Sequence, residues 1–399
     1  MVELEVALDL MDKIPTHVST ETIDLQQSLG RILAMNIIAD RDYPPFNRSA
    51  MDGIAIRIED FIDGKYATKI IETIYAGKSS NKKLGFKESY RIMTGAAVPE
   101  GANAVIQIEK LQFLTEYDVH FENLPNKWQN IAIKGEDIKK NKVLYDKNLK
   151  ITPYLIGVLA SLGYAKIEVV KPPKITIIST GDELVELDKM PNSFQIRASS
   201  KYVLNAMFQS WNISLIEMIQ CKDDKKLIKE TIENALSKSD LIITTGAVSA
   251  GDTDFLPQIF EEIGFEKLFH KVNIKPGKPI WAGFHSKENR MAFGLPGNPL
   301  STQIGFILFV QKWLQLWFGL SKIEPPQYKI EKEIKRNPKL DVFYPAMIEN
   351  ENGIFKVLTI KNNGSGDVIS TGLMQGFFKI PKGNEFLQKN EFVDWWDLS

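Results

Sequence analysis

The stretch DLIITTGAVSAGDTDFLPQIFEEIG, Asp240 to Gly264, decides the fold. DLIITT is a short apolar run of strand length, suited to burial on both faces. It ends at Gly246, and FLPQIFEEIG (255–264) then reads as a helix. The same alternation continues on both sides. ITIIST (175–180) is a buried strand followed by Gly181, and residues 199–211 read as a helix. SLIEMIQC (214–221) is a second strand, after which Leu227, Ile228, Ile232, Ala235 and Leu236 form one helical stripe. MAFGLPGNP (291–299) is a strand and loop that feed a long helix over 300–318. Apolar strands alternating with amphipathic helices imply a doubly wound α/β domain, a parallel sheet with helices on both faces.

The flanks differ from this centre. Residues 3–14 have helical apolar spacing stopped by Pro15. Between about Asp40 and Asn141, the runs IAIRI, TKIIETI, SYRIM, NAVIQIEKL and YDVHF are separated by Gly, Pro and Asn, which predicts a β-rich insert. Thr152 to Gly163 is helical in pattern, and Pro172-Pro173 marks a boundary. Beyond Pro325-Pro326, residues 327–399 alternate as strands with a hairpin signal at Asn352-Gly353, so a small all-β domain is expected.

Composition narrows the functional classes. The 399 residues carry 49 Lys and Arg against 50 Asp and Glu, which argues against bulk binding of nucleic acid. A single cysteine, Cys221, excludes internal disulfides and a Cys-based zinc site. His17, His120, His270 and His285 show no i,i+3 or i,i+4 pairing. The first residues lack the basic region of a secretory signal. Ile304 to Leu320 is broken by Gln311, Lys312 and Gln315 and is too short an apolar run for a bilayer. A cytoplasmic protein without membrane attachment is expected. In the long helix, Phe306, Phe309, Trp313 and Trp317 read as core rather than as a partner groove.

Ligands of doubly wound sheets sit where strands end and loops open. Here those loops are STGDEL with Asp182 and Glu183, TTGAVSAGDTDF with Gly246, Gly251, Asp252 and Asp254, and LPGNPLS at a helix start. NIKPGKPIWAGF (273–284) adds Lys275 and Lys278 around a Pro-Gly turn. Glycine after a strand is a common turn, and each loop alone is ordinary. Together, glycines for close approach, lysines and carboxylates suit a phosphate-bearing ligand with Mg²⁺. Neither GxxxxGK[ST] nor GxGxxG occurs, so a P-loop and a dinucleotide site are unsupported. In the insert, Asp52 precedes Gly53, Thr94 precedes Gly95, and Glu136 and Asp137 follow Gly135. By themselves these read as turns with solvated acids.

In this order, PPFNRSAMDG, RIMTGAAVPEGANAVIQIE, KGEDI, STGDEL, TTGAVSAGDTDF, IKPGKP and LPGNP resemble the MoeA family, which includes the gephyrin E domain. GSGDVISTGLMQGFFKIP (364–381) extends the match. The resemblance implies a molybdopterin molybdenumtransferase that takes adenylylated molybdopterin and molybdate, needs Mg²⁺ and releases AMP. It implies a multidomain α/β plus β chain: a linking domain (16–40 and 142–171), the insert (41–141), a MogA-like domain (1–15 and 172–322) and a β-barrel-like domain (323–399). It also implies a homodimer whose cleft lies between the parallel-sheet domain and the partner's insert. Transient contact with a MogA-like adenylyltransferase and with molybdoenzyme apoproteins is the further expectation on partners.

The family's functional positions fall on Asp52, Thr94, Asp137, Glu183, Asp223, Asp254, Lys271, Lys275 and Ser365. Glu183, Asp223 and Asp254 are the expected metal side. Gly246, Ser249, Gly251, Pro276, Gly277, Lys278, Pro296, Gly297, Asn298 and Ser365 are expected to line the pterin. Lys271 and Lys275 lie four residues apart, and an extended strand would turn both to one face to hold molybdate. The chain departs from the family at Ile54, at Ala132 and Lys134 in NIAIKGED, at Ala198 and Ser200, and at Ala247 and Ala250. Two other readings share these motifs: a non-catalytic scaffold of the same fold, and a pterin adenylyltransferase. The second leaves the first 170 residues and the β-domain without a role.

Overall fold

In the computed structural model, which describes residues 1–399 apart from 16–17, 247–254, 322–323 and 398–399, Leu241–Thr245 is the third strand of a six-stranded sheet. The order is Glu217–Cys221, Ile175–Thr180, Leu241–Thr245, Arg290–Leu295, Trp281–His285, Glu266–His270. Consecutive residues of the central strands enter opposite cores, as the two-residue period of a strand requires. Ile177, Ile243 and Phe293 join one cluster with Leu204, Phe208 and Ile304 of the covering helices and Leu4, Ala7 and Met11 of the first helix. Ile178, Ile242 and Ala292 join the other, with Ile228, Ile232, Ile259 and Phe260. The uninterrupted apolar runs are therefore strands buried on both sides.

The sheet is not parallel throughout. The first four strands pair in parallel, but Trp281–His285 is reversed and pairs antiparallel with both of its neighbours, Arg290–Leu295 and Glu266–His270. Only the turn 286–289, with Asn289 at φ 53°, separates Trp281–His285 from Arg290–Leu295. Four residues cannot make the crossover that a parallel pair needs. The long helix also differs from expectation, since a π-helical turn, Phe306–Val310, interrupts Pro299–Gly305 and Gln311–Trp317. All five residues of that turn are buried, and Trp313 and Trp317 are core as expected.

The C-terminal strands close on themselves. Asp341–Glu351, Ile354–Thr359, Gln327–Ile330, Phe392–Trp396 and Gly376–Ile380 pair in that order, and the last pairs back with the first. This five-stranded barrel has no open edge of its own. Its hairpin turns at Asn352 (φ 53°) and Gly353 (φ 83°), both left-handed as the Asn-Gly signal predicts. Ile274–Lys275 adds to it in parallel, Ile274 opposite Asp341 and Lys275 opposite Val342.

By contact density the chain divides into two units. Met1–Ile23, Ser28–Ala34 and Glu168–Ser399 form one, containing sheet and barrel. Asp24–Gln27 and Met35–Ile167 form the other. The second unit has its own six-stranded sheet: Ala104–Gln107, Gly53–Ile56, Glu88–Ile92, Ala67–Ile74, Asp118–Phe121, Leu111–Phe113. Its faces pack two small cores, one around Ala55, Tyr90 and Val105, the other around Ile54, Phe61 and Phe121. The insert is thus β-rich, as its punctuated runs predict.

Gly53 has Ile92 on one side and Gln107 on the other, and a Cβ there would lie 1.8 Å from the Ile106 carbonyl oxygen. Since backbone cannot swing aside as a side chain can, Gly53→Ala is expected to cost about 1–3 kcal/mol. The measurement is the urea midpoint, and an unchanged midpoint would contradict this account of the glycine.

Candidate active site

The parallel strands of the larger unit end level with one another. Ser179 is opposite Thr245, and Thr245 is opposite Leu295. Beyond these ends lies a cavity of about 1170 Å³. It is walled by the loops after the strands, by Lys275–Pro279, by the first turn of the long helix, and by Asn362 and Gly364–Gly366 from the barrel segment.

Close backbone packing shapes its floor. Gly246 has φ 96°, and a Cβ there would meet the Thr180 carbonyl oxygen at 2.5 Å. Its N–H donates to the Leu295 carbonyl (3.1 Å), while Gly297 lies against the Gly246 backbone. The LPGNP loop is held from several directions. Thr302 Oγ1 donates to the Pro296 carbonyl (2.6 Å), and Ser200 Oγ to the Gly297 carbonyl (3.3 Å). Asn298 Nδ2 donates to Ser365 Oγ (3.1 Å), and the Leu300 N–H to the Ser365 carbonyl (3.2 Å). One serine from the barrel segment thereby fixes the start of the helix.

Of the residues expected from sequence, Glu183, Gly246, Lys275, Pro276, Gly277, Lys278, Pro296, Gly297, Asn298 and Ser365 line this cavity. Lys271 does not. It sits just past the Glu266–His270 strand at φ 65°, left-handed, with its N–H on the Ile280 carbonyl (2.9 Å). The extended strand that would align Lys271 with Lys275 is broken there, and only Ile274–Lys275 is strand. The lysines that face the cavity together are Lys275 and Lys278, both exposed.

Arg197 also lines the cavity and was missed. It lies on a two-residue strand, Ile196–Arg197, paired with Leu184–Val185, a placement that no sequence period announces. Among the described residues the charged lining is therefore Arg197, Lys275 and Lys278 against Glu183. Three cations to one carboxylate, among hydroxyls of Ser179, Thr180, Ser199, Thr245 and Ser301, suit an anion.

The expected metal side is partly visible. The Glu183 carboxylate folds over Gly181, where a Cβ would come within 2.7 Å of Oε2. Asp223 is exposed beyond the Glu217–Cys221 strand and outside the cavity lining, and its N–H reaches Asp182 Oδ1 at 3.4 Å. Among the described residues no three His, Cys, Asp or Glu side chains assemble as a metal cluster. Ser249, Gly251 and Asp254 lie outside the described residues.

In the smaller unit, the pairing of Gly53 with Ile92 brings Asp52 against Thr94. Asp52 Oδ1 accepts from the Thr94 N–H (2.6 Å) and from Thr94 Oγ1 (2.7 Å). These two donors stabilise the anion and hold the carboxyl below its ordinary 3.8. Asp137 occupies a separate turn, its N–H on the Tyr43 carbonyl (3.0 Å). No hydrogen bond among the described residues joins it to Asp52 or Thr94.

Residues 2–163 match the family described as MoeA N-terminal region (domain I and II), and residues 176–316 match one described as probable molybdopterin binding domain. The chain is 34% identical over 385 residues to the molybdopterin molybdenumtransferase of Bacillus subtilis (strain 168), covering 94% of this chain and 89% of that one. It is 32% identical over 363 residues to the protein of that name from Haemophilus influenzae, covering 89% and 88%. The crystal structure of the molybdopterin biosynthesis moeA protein from Pyrococcus horikoshii OT3 superposes with TM-score 0.85 and 30% identity, over 99% of both chains. These likenesses run through both units, so neither half of the chain is left without a counterpart. With the level strand ends, the cationic cavity and the Asp52–Thr94 pair, they place this chain in the MoeA family, the molybdopterin molybdenumtransferases.

Proposed function

We propose that the cavity brings molybdate to adenylylated molybdopterin and that AMP is released as molybdenum enters the dithiolene. The transferase class and the place in molybdenum cofactor biosynthesis follow from the family. The observation that carries the substrate reading is the charge of the cavity's described lining, three cations and one carboxylate. Lys275 and Lys278, with Arg197, would grip the tetrahedral dianion by charge-assisted hydrogen bonds. Gly246, Pro296, Gly297, Asn298 and Ser365 would take the pterin and its phosphate, since the glycines allow close backbone approach. Lys271 is given no contact with the ion.

Glu183, Asp182 and Asp223 offer hard oxygen donors near adjacent strand ends. Mg²⁺ held by one or two carboxylates, water and substrate phosphate asks for no closed protein cluster, so these residues fit it. When bound it would neutralise charge on the departing phosphate. Asp254, with Ser249 and Gly251, keeps its place from sequence alone. We also read the chain as four segments with the boundaries given above. It would act as a homodimer in which Asp52, Thr94 and Asp137 serve the partner's cavity. A MogA-like adenylyltransferase would supply the pterin, and molybdoenzyme apoproteins would take the product.

Purified protein given adenylylated molybdopterin, Mg²⁺ and molybdate should release AMP only when molybdate is present; release that ignores molybdate would refute the reading. Lys275→Ala should raise the KM for molybdate about 10- to 100-fold, the usual range for a lost charged hydrogen bond. The Asp52 carboxyl, depressed by Thr94, adds stability that is complete above its ordinary 3.8 and lost as pH falls through the lowered value. Asp52→Asn should therefore melt below wild type at pH 7, with the gap closing in strong acid. A gap that widens there would reverse the sign of the account.

A further inference from the structure

Glu3 is the N-cap of the first helix, yet its side chain caps nothing. Its carboxylate is engaged elsewhere. Oε1 accepts from Asn273 Nδ2 (2.6 Å), and Oε2 accepts from Lys382 Nζ (2.7 Å). Asn273 is two residues before Lys275, and Lys382 lies just past the barrel strand Gly376–Ile380. One carboxylate thus joins three segments distant in sequence.

The backbone repeats the arrangement. The Val2 N–H donates to the Lys271 carbonyl (2.9 Å), and the Asn273 N–H to the Val2 carbonyl (2.8 Å). On the opposite side, the Asp341 N–H donates to the Asn273 carbonyl (3.2 Å), and Lys275 pairs with Val342. Asp341 Oδ1 accepts from the Lys382 N–H (2.8 Å). The strand that presents Lys275 is therefore clamped between the chain's second and third residues and the barrel. Lys275 itself is exposed, and among the described residues it is paired with no carboxylate. Its placement depends on backbone held by its neighbours.

We propose that Glu3 is a positioning residue for the anion site: its bonds to Asn273 and Lys382 set the Ile274–Lys275 strand so that Lys275 meets the oxyanion. This rests on the reading of Lys275 as a molybdate ligand. Charge alone makes the opposite prediction. Removing a carboxylate near an anion site should tighten anion binding, because an unfavourable Coulomb interaction disappears. Positioning predicts weaker binding, so the sign of the change separates the two.

The experiment measures molybdate affinity by direct titration and as KM in AMP release, for Glu3→Ala, Glu3→Gln, Asp12→Ala and Lys275→Ala. Glu3→Ala should weaken molybdate about tenfold with little change in kcat. Glu3→Gln should fall between it and wild type, because the amide keeps a bond to Asn273 and loses the ion pair with Lys382. Asp12→Ala loosens the same helix by breaking the Asp12–Lys312 pair (2.5 Å) without touching Glu3, and should leave affinity unchanged. Equal losses in Asp12→Ala and Glu3→Ala would reduce the effect to general loosening and overturn the proposal. Unchanged or tighter binding in Glu3→Ala, with Lys275→Ala impaired, would overturn it while leaving the site reading intact. Unchanged binding in Lys275→Ala would remove both.

Discussion

Everything at the cavity depends on the register of parallel strands. Because Ser179, Thr245 and Leu295 are hydrogen-bonded neighbours, three loops leave the sheet at one height and crowd together. Crowding is what demands glycine. The Gly246 N–H closes on the Leu295 carbonyl while its Cα sits over the Thr180 carbonyl, and no L side chain fits between them. The register is protected in turn by the two cores. A one-residue slip would send Ile177, Ile243 and Phe293 to the face that now buries Ile178, Ile242 and Ala292.

The barrel completes what the sheet begins. It reaches the cavity by Ser365, which holds the LPGNP loop, and by the Asp341 strand, which receives Ile274–Lys275. Both attachments are backbone or short polar contacts. The closed circuit of five strands leaves that extra pairing at Asp341 and Val342, beside the run Ala346–Glu351 that pairs with its neighbour hairpin.

Much of this was legible because the signals were local. ITIIST and LIITT are strands because each is a β-branched run ended by glycine, and Asn352-Gly353 turns because both residues tolerate left-handed backbone. Direction was not legible. WAGF and MAFGL look alike as apolar runs, and only the short 286–289 turn makes them antiparallel. Even spacing of Lys271 to Lys275 suggests a strand that the backbone does not make, because nothing in a lysine announces a positive φ. Arg197 escaped because two residues of strand have no period to detect. Glu183, Lys275 and Ser365 stand in family motifs, whereas periodicity alone marks only charged loops at strand ends.

Asp52 carries a consequence for the movement of hydrogen. Thr94 places both of its donors on one carboxylate oxygen, Oδ1. A carboxylate stabilised in this way is a weaker base than a free one, so it is a poor place to park a proton near neutral pH. What it offers is a fixed acceptor that meets a donor and lets the hydrogen stay where it is. The geometry leaves Oδ2 of Asp52 without a bond to Thr94, so the carboxylate keeps an acceptor free beside the pair.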